Sequence, residues 1–208
     1  MDGTVLNTLP DLNAAMNHTM RHFGFPERSI EHSAAALGNG ALAFVRCSVP
    51  EGTAEETVAE VLAFYKPWYD AHSLEKTAPY EGITGMLEAL GKAGRRLSIV
   101  TNKQDNTASG LAERFFPGLL DVTVGEKPGV PRKPAPDMPC EAARLMGCRP
   151  EECLYVGDTE VDVMTARNSG MDCAAVTWGF RSKEQVIATG VENIFDTVEE
   201  LTAFILEN

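Results

Sequence analysis

From about residue 80 to residue 205, short β-rich runs alternate with stretches in which apolar residues recur at helical spacing. The β-rich runs are residues 97–100, 122–124, 153–156 and 174–176. Helices that cross over between consecutive strands make those strands parallel and cover both faces of the sheet. The sequence therefore predicts an α/β fold with a doubly wound, mostly parallel, Rossmann-like sheet.

The segment between residues 13 and 77 has a different pattern. Two helical stripes of apolar residues run through residues 12–23 and 58–65, and no β-rich run separates them. This pattern predicts a small α-helical domain over residues 13–77, inserted into a core domain made of residues 1–12 and 78–208.

The overall charge narrows the classes of partner. The chain has 18 Lys and Arg against 30 Asp and Glu, a formal charge of −12, which argues against binding to nucleic acid or to anionic membranes. We therefore expect a small molecule as partner, and leave monomer and homodimer open. Because no apolar run is long enough to span a membrane and no leader pattern is present, we expect a cytoplasmic protein. The five cysteines have scattered spacing and predict neither disulfides nor a zinc site.

Polar residues stand where predicted strands end. Thr101 follows one strand, Asp158 follows another, and Asp2 is expected at a third tip, so the three side chains converge at one edge of the sheet. Each also has an ordinary structural explanation: Thr101 and Asp158 could cap helices, and Asp162 could lie in a helix's first turn. Lys133 falls in a Pro-rich loop, residues 125–139, that we expect to be non-helical.

Four short motifs occur in a fixed order along the chain. They are DGT at residues 2–4, SIVTNK at 98–103, RKPAPD at 132–137 and YVGDTEVD at 155–162. This set resembles the four motifs of the haloacid dehalogenase superfamily of phosphatases, and the resemblance covers the whole chain. It implies hydrolysis of a small phosphomonoester through an aspartyl-phosphate intermediate, with Mg²⁺ as cofactor.

The resemblance also implies a role for each matching residue. Asp2 protonates the leaving alkoxide and then activates water. Thr101 and Asn102 bind the phosphoryl oxygens, and Lys133 offsets the negative charge of nucleophile and phosphate. The predicted metal set is Asp158, Asp162 acting through water, and the backbone carbonyl of Asp2.

The helical insert resembles the small cap domain of this superfamily. Its tract GNGALAFVR, residues 38–46, is similar to the cap loop of phosphoglycolate phosphatases, so Gly38, Asn39 and Gly40 are the candidate substrate-specificity loop. An ordinary interhelical turn is the alternative. Arg46 receives no role, because the arginine expected from the resemblance falls one position later, where this chain has Cys47. The resemblance favours 2-phosphoglycolate, with a sugar-phosphate phosphatase or a phosphomutase as alternatives.

The resemblance places the nucleophilic aspartate directly before Met1, at the end of an apolar first strand in the centre of the sheet. Three or four buried side chains on such a strand would contribute about 6–8 kcal/mol, which is comparable to a whole domain's stability. We therefore expect the 208-residue chain to be inactive and poorly stable as given. Either the natural protein starts upstream of Met1, or the chain is a catalytically dead phosphate-binding module.

Overall fold

A computed structural model describes residues 1–208. The chain divides into two compact units, one formed by Met1–Leu6 with Pro79–Asn208 and the other by Asn7–Ala78. The second unit is helical and the first is α/β. The predicted cap begins at residue 13, whereas the first helix of the helical unit runs without interruption from Leu9, so residues 9–12 lie in that helix.

Seven short strands, ten α-helices and one 3₁₀ helix (Pro150–Glu152) follow one another along the chain. The strands are β1 (Leu6–Asn7), β2 (Ala78–Pro79), β3 (Ser98–Gln104), β4 (Val122–Glu126), β5 (Leu154–Gly157), β6 (Asp172–Val176) and β7 (Asn193–Phe195). The helices are α1 (Leu9–His22), α2 (Ile30–Ala36), α3 (Gly40–Ser48), α4 (Glu55–His72), α5 (Ile83–Lys92), α6 (Asp105–Phe115), α7 (Asp137–Met146), α8 (Glu160–Ser169), α9 (Lys183–Ala188) and α10 (Val198–Glu207).

The strands of the α/β unit pair in parallel, as predicted. β3 pairs with β4, and β5, β6 and β7 form a three-stranded sheet in that order, while β1 and β2 form a separate two-stranded ladder. Every parallel pair is joined by a crossover that contains a helix. The α/β fold class inferred from the sequence is therefore confirmed.

The parallel strands form two sheets rather than one. β3 and β5 are not hydrogen-bonded to each other, and a cavity of about 610 Å³ is lined by residues 98–100 of β3 and residues 154–156 of β5. Apolar side chains from α5, α7 and α10 complete its walls, among them Leu87, Ala142 and Leu201. The middle of this unit is thus a cleft bounded by two strands and by apolar helix faces.

Two local expectations about element ends were wrong. Thr101 does not end β3, because the strand continues to Gln104 through an irregularity in its pairing with β4 between Val100 and Gln104. The Pro-rich loop is shorter than predicted, because α7 already begins at Asp137. Pro139 is tolerated there, since the amides of a helix's first turn have no intrahelical acceptor.

The helical unit is held together by packing of α1 on α4 and by a buried carboxylate. Asp11, in the first turn of α1, accepts hydrogen bonds from the amides of Lys76 and Thr77 and from the Thr77 hydroxyl. No helix of the chain has the length and apolar character that crossing a membrane would need.

Candidate active site

Asp2 lies beside two residues of β3. The Thr101 hydroxyl donates to Oδ2 of Asp2 at 3.4 Å, and the Lys103 ammonium lies 3.1 Å from Oδ1. The Lys103 side chain is only 9% exposed, so this ion pair is largely shielded from water. The structure therefore brings together Asp2 and Thr101, which are 99 residues apart in sequence.

Asn102 fastens the loop that carries Lys133 to β3. Its side-chain amide donates to the Lys133 carbonyl at 3.1 Å, and its side-chain oxygen accepts from the Lys133 amide at 2.9 Å. Because Asn102 bonds both the amide and the carbonyl of Lys133, it fixes the position and the direction of the Lys133 backbone. In this structure Asn102 therefore holds the loop of Lys133 in place.

The Lys133 side chain points to the start of α8. Its ammonium lies 2.7 Å from Oδ1 of Asp162 and interacts with the Tyr155 hydroxyl. Burial acts to lower the pKa of Lys133, but the Asp162 carboxylate and Tyr155 outweigh it and raise that pKa above its ordinary value. Lys133 is therefore a permanently charged, buried cation at the site.

Asp162 is fixed by the end of its own helix. Its Oδ2 accepts from the Thr159 amide at 3.0 Å, the Thr159 hydroxyl at 2.7 Å and the Asp158 amide at 3.2 Å, in a capping box at the start of α8. Burial acts to raise the pKa of Asp162, yet Lys133 and these hydrogen bonds lower it overall. Asp162 is thus an ionised carboxylate in an immobile position.

Asp158 follows β5 directly and is enclosed by backbone. Its Oδ1 accepts from the Thr4 hydroxyl and its Oδ2 from the Phe180 amide, both at 2.8 Å. A Cβ at Gly3 would stand 2.1 Å from Oδ2, and one at Gly179 would stand 2.3 Å from the Asp158 Cβ. Both close approaches require glycine, and they hold the carboxylate in one place.

The two buried carboxylates influence each other electrostatically. Burial, with Asp162 next in importance, raises the pKa of Asp158 to about 6. The Met1 amino group is close enough to partly offset both negative charges, and burial, followed by the Lys133 charge, lowers its own pKa. Excess negative charge at Asp158 is the main electrostatic feature of the site.

The negative charge at Asp158 helps to decide whether these residues could hold the predicted magnesium ion. No group of three or more His, Cys, Asp or Glu side chains is arranged to hold a metal ion, so the carboxylate of Asp2 does not join Asp158 and Asp162 in one cluster. Two carboxylates with hard oxygen donors, one with a raised pKa, still suit a divalent cation, because its charge would relieve the repulsion between them. The residues fit magnesium as a two-carboxylate set completed by uncharged oxygens.

The remaining predicted residues lie in the helical unit. Asn39 is the residue before α3, and Gly40 begins that helix with φ 83°, while Gly38 has φ 120°. These positive φ angles explain the two glycines as backbone requirements. A role of this loop in substrate choice stays a prediction.

Sequence reasoning missed four contributors to the site, Thr4, Lys103, Tyr155 and Phe180. The first three stand inside the quoted motifs, and a period of two along a strand puts Lys103 on the same face as Thr101. That signal could have identified Lys103. Phe180 contributes only its backbone amide, which no side-chain pattern can reveal.

The chain belongs to the haloacid dehalogenase-like hydrolase family, whose model matches residues 1–176. It is a hydrolase of that family. Comparison with individual proteins shows which members of the family it is similar to. The chain is 29% identical over 208 residues to phosphoglycolate phosphatase 1 of Pseudomonas aeruginosa, covering 97% of this chain and 76% of the relative. It is 30% identical over 191 residues to the phosphoglycolate phosphatase of Rhodobacter capsulatus, covering 87% and 83%.

The fold is also similar to that of a solved structure with a related name. The crystal structure of a protein provisionally named phosphoglycolate phosphatase from Lactobacillus delbrueckii superposes with a TM-score of 0.96 at 36% identity. The match covers 100% of this chain and 96% of that one. The chain therefore resembles the phosphoglycolate phosphatase-like branch of the family.

Proposed function

We propose that this protein is a magnesium-dependent phosphatase of small phosphomonoesters, with 2-phosphoglycolate as its substrate. One observation carries the proposal: Asp2, Thr101, Lys133, Asp158 and Asp162 come from four separate segments, and they are linked by the Asp2–Thr101 hydrogen bond, the Asn102–Lys133 bond, the Lys133–Asp162 ion pair and the Asp158–Asp162 hydrogen bond. A buried cation, fixed carboxylates and hydroxyl and amide donors are the groups that phosphoryl transfer needs, because that reaction depends on positioning and on neutralising negative charge.

Binding of the phosphoryl group is the task of β3 and of the loop before α7. The Thr101 hydroxyl and the Asn102 side-chain amide donate hydrogen bonds, and Lys133 supplies a full positive charge. Lys133 keeps that charge because Asp162 raises its pKa. The Asn102–Lys133 bonds hold the two segments in register before substrate arrives.

Proton transfer is the task of Asp2. It donates a proton to the leaving alkoxide and then accepts one from the attacking water. Lys103, 3.1 Å from the Asp2 carboxylate, orients it for both steps. In the holoenzyme Asp158, Asp162 through water and the Asp2 carbonyl would hold magnesium, which supplies positive charge to neutralise the transferred phosphoryl group.

The nucleophile in this proposal is an aspartate bonded to the amino group of Met1, at the end of an apolar strand. The cleft between β3 and β5 supports this placement, since two strand edges and two apolar layers bound it. The Met1 amino group is buried and interacts electrostatically with Lys133, Asp158 and Asp162, which supports this choice of attachment point. The 208-residue chain without that residue is proposed to be inactive.

The choice of 2-phosphoglycolate is supported by the names of the relatives and by the similarity of residues 38–46 to a cap loop. A sugar-phosphate phosphatase and a phosphomutase on the same scaffold are the competing assignments. A catalytically dead phosphate-binding module is the third, because Thr101, Asn102 and Lys133 are all in place in the 208-residue chain.

One assay distinguishes these three functions. It uses a chain that is extended upstream through the proposed aspartate. Phosphate release is measured from 2-phosphoglycolate and from a panel of sugar phosphates, with Mg²⁺ and with EDTA. We expect magnesium-dependent release with the highest kcat/KM for 2-phosphoglycolate. A higher kcat/KM for a sugar phosphate would assign that substrate class instead, and isomerised sugar phosphate without phosphate release would identify a phosphomutase.

A further inference from the structure

A short segment between β6 and α9, residues 178–181, lies against the Asp158 carboxylate. The amide of Phe180 donates to Oδ2 of Asp158 at 2.8 Å. Two residues earlier, the indole N–H of Trp178 donates to the Thr4 carbonyl at 3.0 Å, and the Thr4 hydroxyl donates to Oδ1 of Asp158 at 2.8 Å. The 178–181 segment thus holds both carboxylate oxygens, one directly and one through Thr4.

The far end of the 178–181 segment is anchored by a forked ion pair. Nε and Nη2 of Arg181 donate to the two carboxylate oxygens of Glu160 at 2.7 and 2.8 Å. Two parallel bonds between a planar guanidinium and a planar carboxylate fix direction as well as distance. Glu160 is the first residue of α8, two positions after Asp158. The pair therefore ties the residue after Phe180 to the helix that begins beside Asp158.

The surroundings of this ion pair distinguish it from a surface contact. The Arg181 side chain is only 7% exposed, and the cost of taking a guanidinium out of water can exceed the attraction to its partner, so such a pair is weak evidence for added stability. On α7, Arg144 makes the same fork with Glu141 at 2.7 and 2.8 Å, but both side chains are largely exposed and three residues apart. The Arg181 fork joins positions 21 residues apart, one of them next to the Phe180 amide. Its placement indicates a role in holding that amide.

Gly179 lets the backbone of the 178–181 segment come this close to the carboxylate. A Cβ at position 179 would stand 2.4 Å from Oδ2 of Asp158, so no side chain fits there. Trp178 and Arg181 are fixed on either side of this glycine. The backbone that touches Asp158 is therefore held at both flanks.

We propose that Trp178 and Arg181 are positioning residues for the bound cation, because they hold the groups that orient the Asp158 carboxylate. This inference rests on the proposed magnesium site. Partners that hydrogen-bond a metal ligand contribute about 10- to 100-fold in metal affinity. Trp178 and Arg181 act one contact further out, through Thr4 and Phe180, so we expect each to contribute about tenfold, the low end of that range.

The test measures Mg²⁺ binding itself, by isothermal titration calorimetry, in the full chain extended upstream through the proposed aspartate. Arg181→Lys keeps the positive charge but loses the fork, and Trp178→Phe keeps an aromatic ring but loses the N–H donor. Arg144→Lys breaks the matched fork on α7 and is the control. We expect the Mg²⁺ dissociation constant to rise about tenfold in each of the first two variants and to stay unchanged in the control.

Two further measurements separate positioning from stability. Urea unfolding reports whether each variant is folded during the Mg²⁺ titration, because a merely structural role lowers the unfolding midpoint and leaves the affinity of the folded chain unchanged. Phosphate release is measured over a range of Mg²⁺ concentrations. In a positioning role, more magnesium is needed for half-maximal release, whereas kcat at saturating magnesium stays near that of the parent chain.

Asp158→Asn, titrated beside these variants, distinguishes failure of the inference from failure of the metal assignment. If Asp158→Asn binds Mg²⁺ as tightly as the parent chain, the proposed metal site is wrong and the inference falls with it. If Asp158→Asn loses binding while Arg181→Lys and Trp178→Phe bind like the parent, the positioning role alone is overturned.

Discussion

At the scale of single residues, the proposed metal site depends on how tightly Asp158 is held. Thr4 and Phe180 each donate to one of its oxygens, and two glycines approach it so closely that no Cβ fits. Such enclosure fixes the carboxylate but leaves a raised pKa and uncompensated charge. A position built in this way suits a metal ligand better than a surface charge.

Removing the charge of Asp158 should remove most of the activity. In a chain extended upstream through the proposed aspartate, Asp158→Asn keeps the shape of the side chain and, on the proposed assignment, weakens magnesium binding. We expect turnover to fall by orders of magnitude, as measured by phosphate release over a magnesium titration. Asp172→Asn, at an exposed position on β6, is the matched control. Near-normal activity of Asp158→Asn at limiting magnesium would rule out this metal assignment.

Replacing Gly179 by a residue with a Cβ should destabilise the protein for steric reasons alone. Gly179→Ala places a methyl group 2.3 Å from the Asp158 Cβ, so the loop after β6 must shift. We expect a loss of about 1–3 kcal/mol in the free energy of unfolding, by urea denaturation, as for other overpacked sites. Gly85→Ala in α5, where a Cβ meets nothing within 4 Å, is the control and should be neutral or stabilising. Equal effects would show that the close approach does not matter.

At the scale of elements, a buried carboxylate closes the helical unit. Asp11 joins the first turn of α1 to residues 76–77, which come just after α4. Its donors there are the backbone amides of both residues and the Thr77 hydroxyl. Removing the acceptor leaves those donors buried and unpaired, which is costly. Both ends of the unit's chain are therefore held by one side chain.

Asp11→Ala should destabilise the helical unit by about 2–4 kcal/mol, because a charged hydrogen-bond acceptor is lost while its donors stay buried. Hydrogen exchange of the α1 and α4 amides measures this locally. Glu56→Ala, an exposed change in α4 that alters the charge equally, should leave exchange almost unchanged. If the two variants exchange alike, Asp11 does not close the unit.

The sequence predicted the presence of helices and strands better than the residues at which they begin and end. The runs around β4, β5 and β6 and the helical stripes of α1, α4, α5 and α10 could be identified from periodicity, because burial sets that periodicity. The extension of β3 past Thr101 and the start of α7 at Asp137 could not. The end of β3 carries tertiary contacts, the Asn102–Lys133 bonds, that local sequence does not encode.

At the scale of the whole molecule, the parallel strands are divided into two sheets, β3–β4 and β5–β6–β7. Thr101, Lys133 and Asp158 could be named as candidates from the sequence because the order of the motifs is specific, and their roles stay predictions. Of their partners, Lys103 could have been found from the period of two along the strand, whereas the contacts of Tyr155 and Phe180 could not be assigned without coordinates. The cleft between β3 and β5 likewise appears only when the pairing of strands is known.

Filling that cleft should stabilise the molecule. A chain extended upstream by an apolar strand would bury several side chains between β3 and β5, each contributing about 2 kcal/mol. We expect its urea unfolding midpoint to lie well above that of the 208-residue chain, with a larger dependence on urea because more surface is buried. An extension of the same length with serine at the apolar positions is the control. Equal midpoints for the two extensions would show that the cleft does not accept an apolar strand.

The most direct test of the central claim is magnesium-dependent phosphate release from 2-phosphoglycolate, measured side by side on three chains. These are the 208-residue chain, the chain extended upstream through an aspartate bonded to Met1, and the same extension with asparagine at that position. We predict release by the aspartate extension alone. Release by the 208-residue chain would contradict it, because the nucleophile would then lie within residues 1–208 and the roles given to Asp2, Thr101, Lys133 and Asp158 would be wrong.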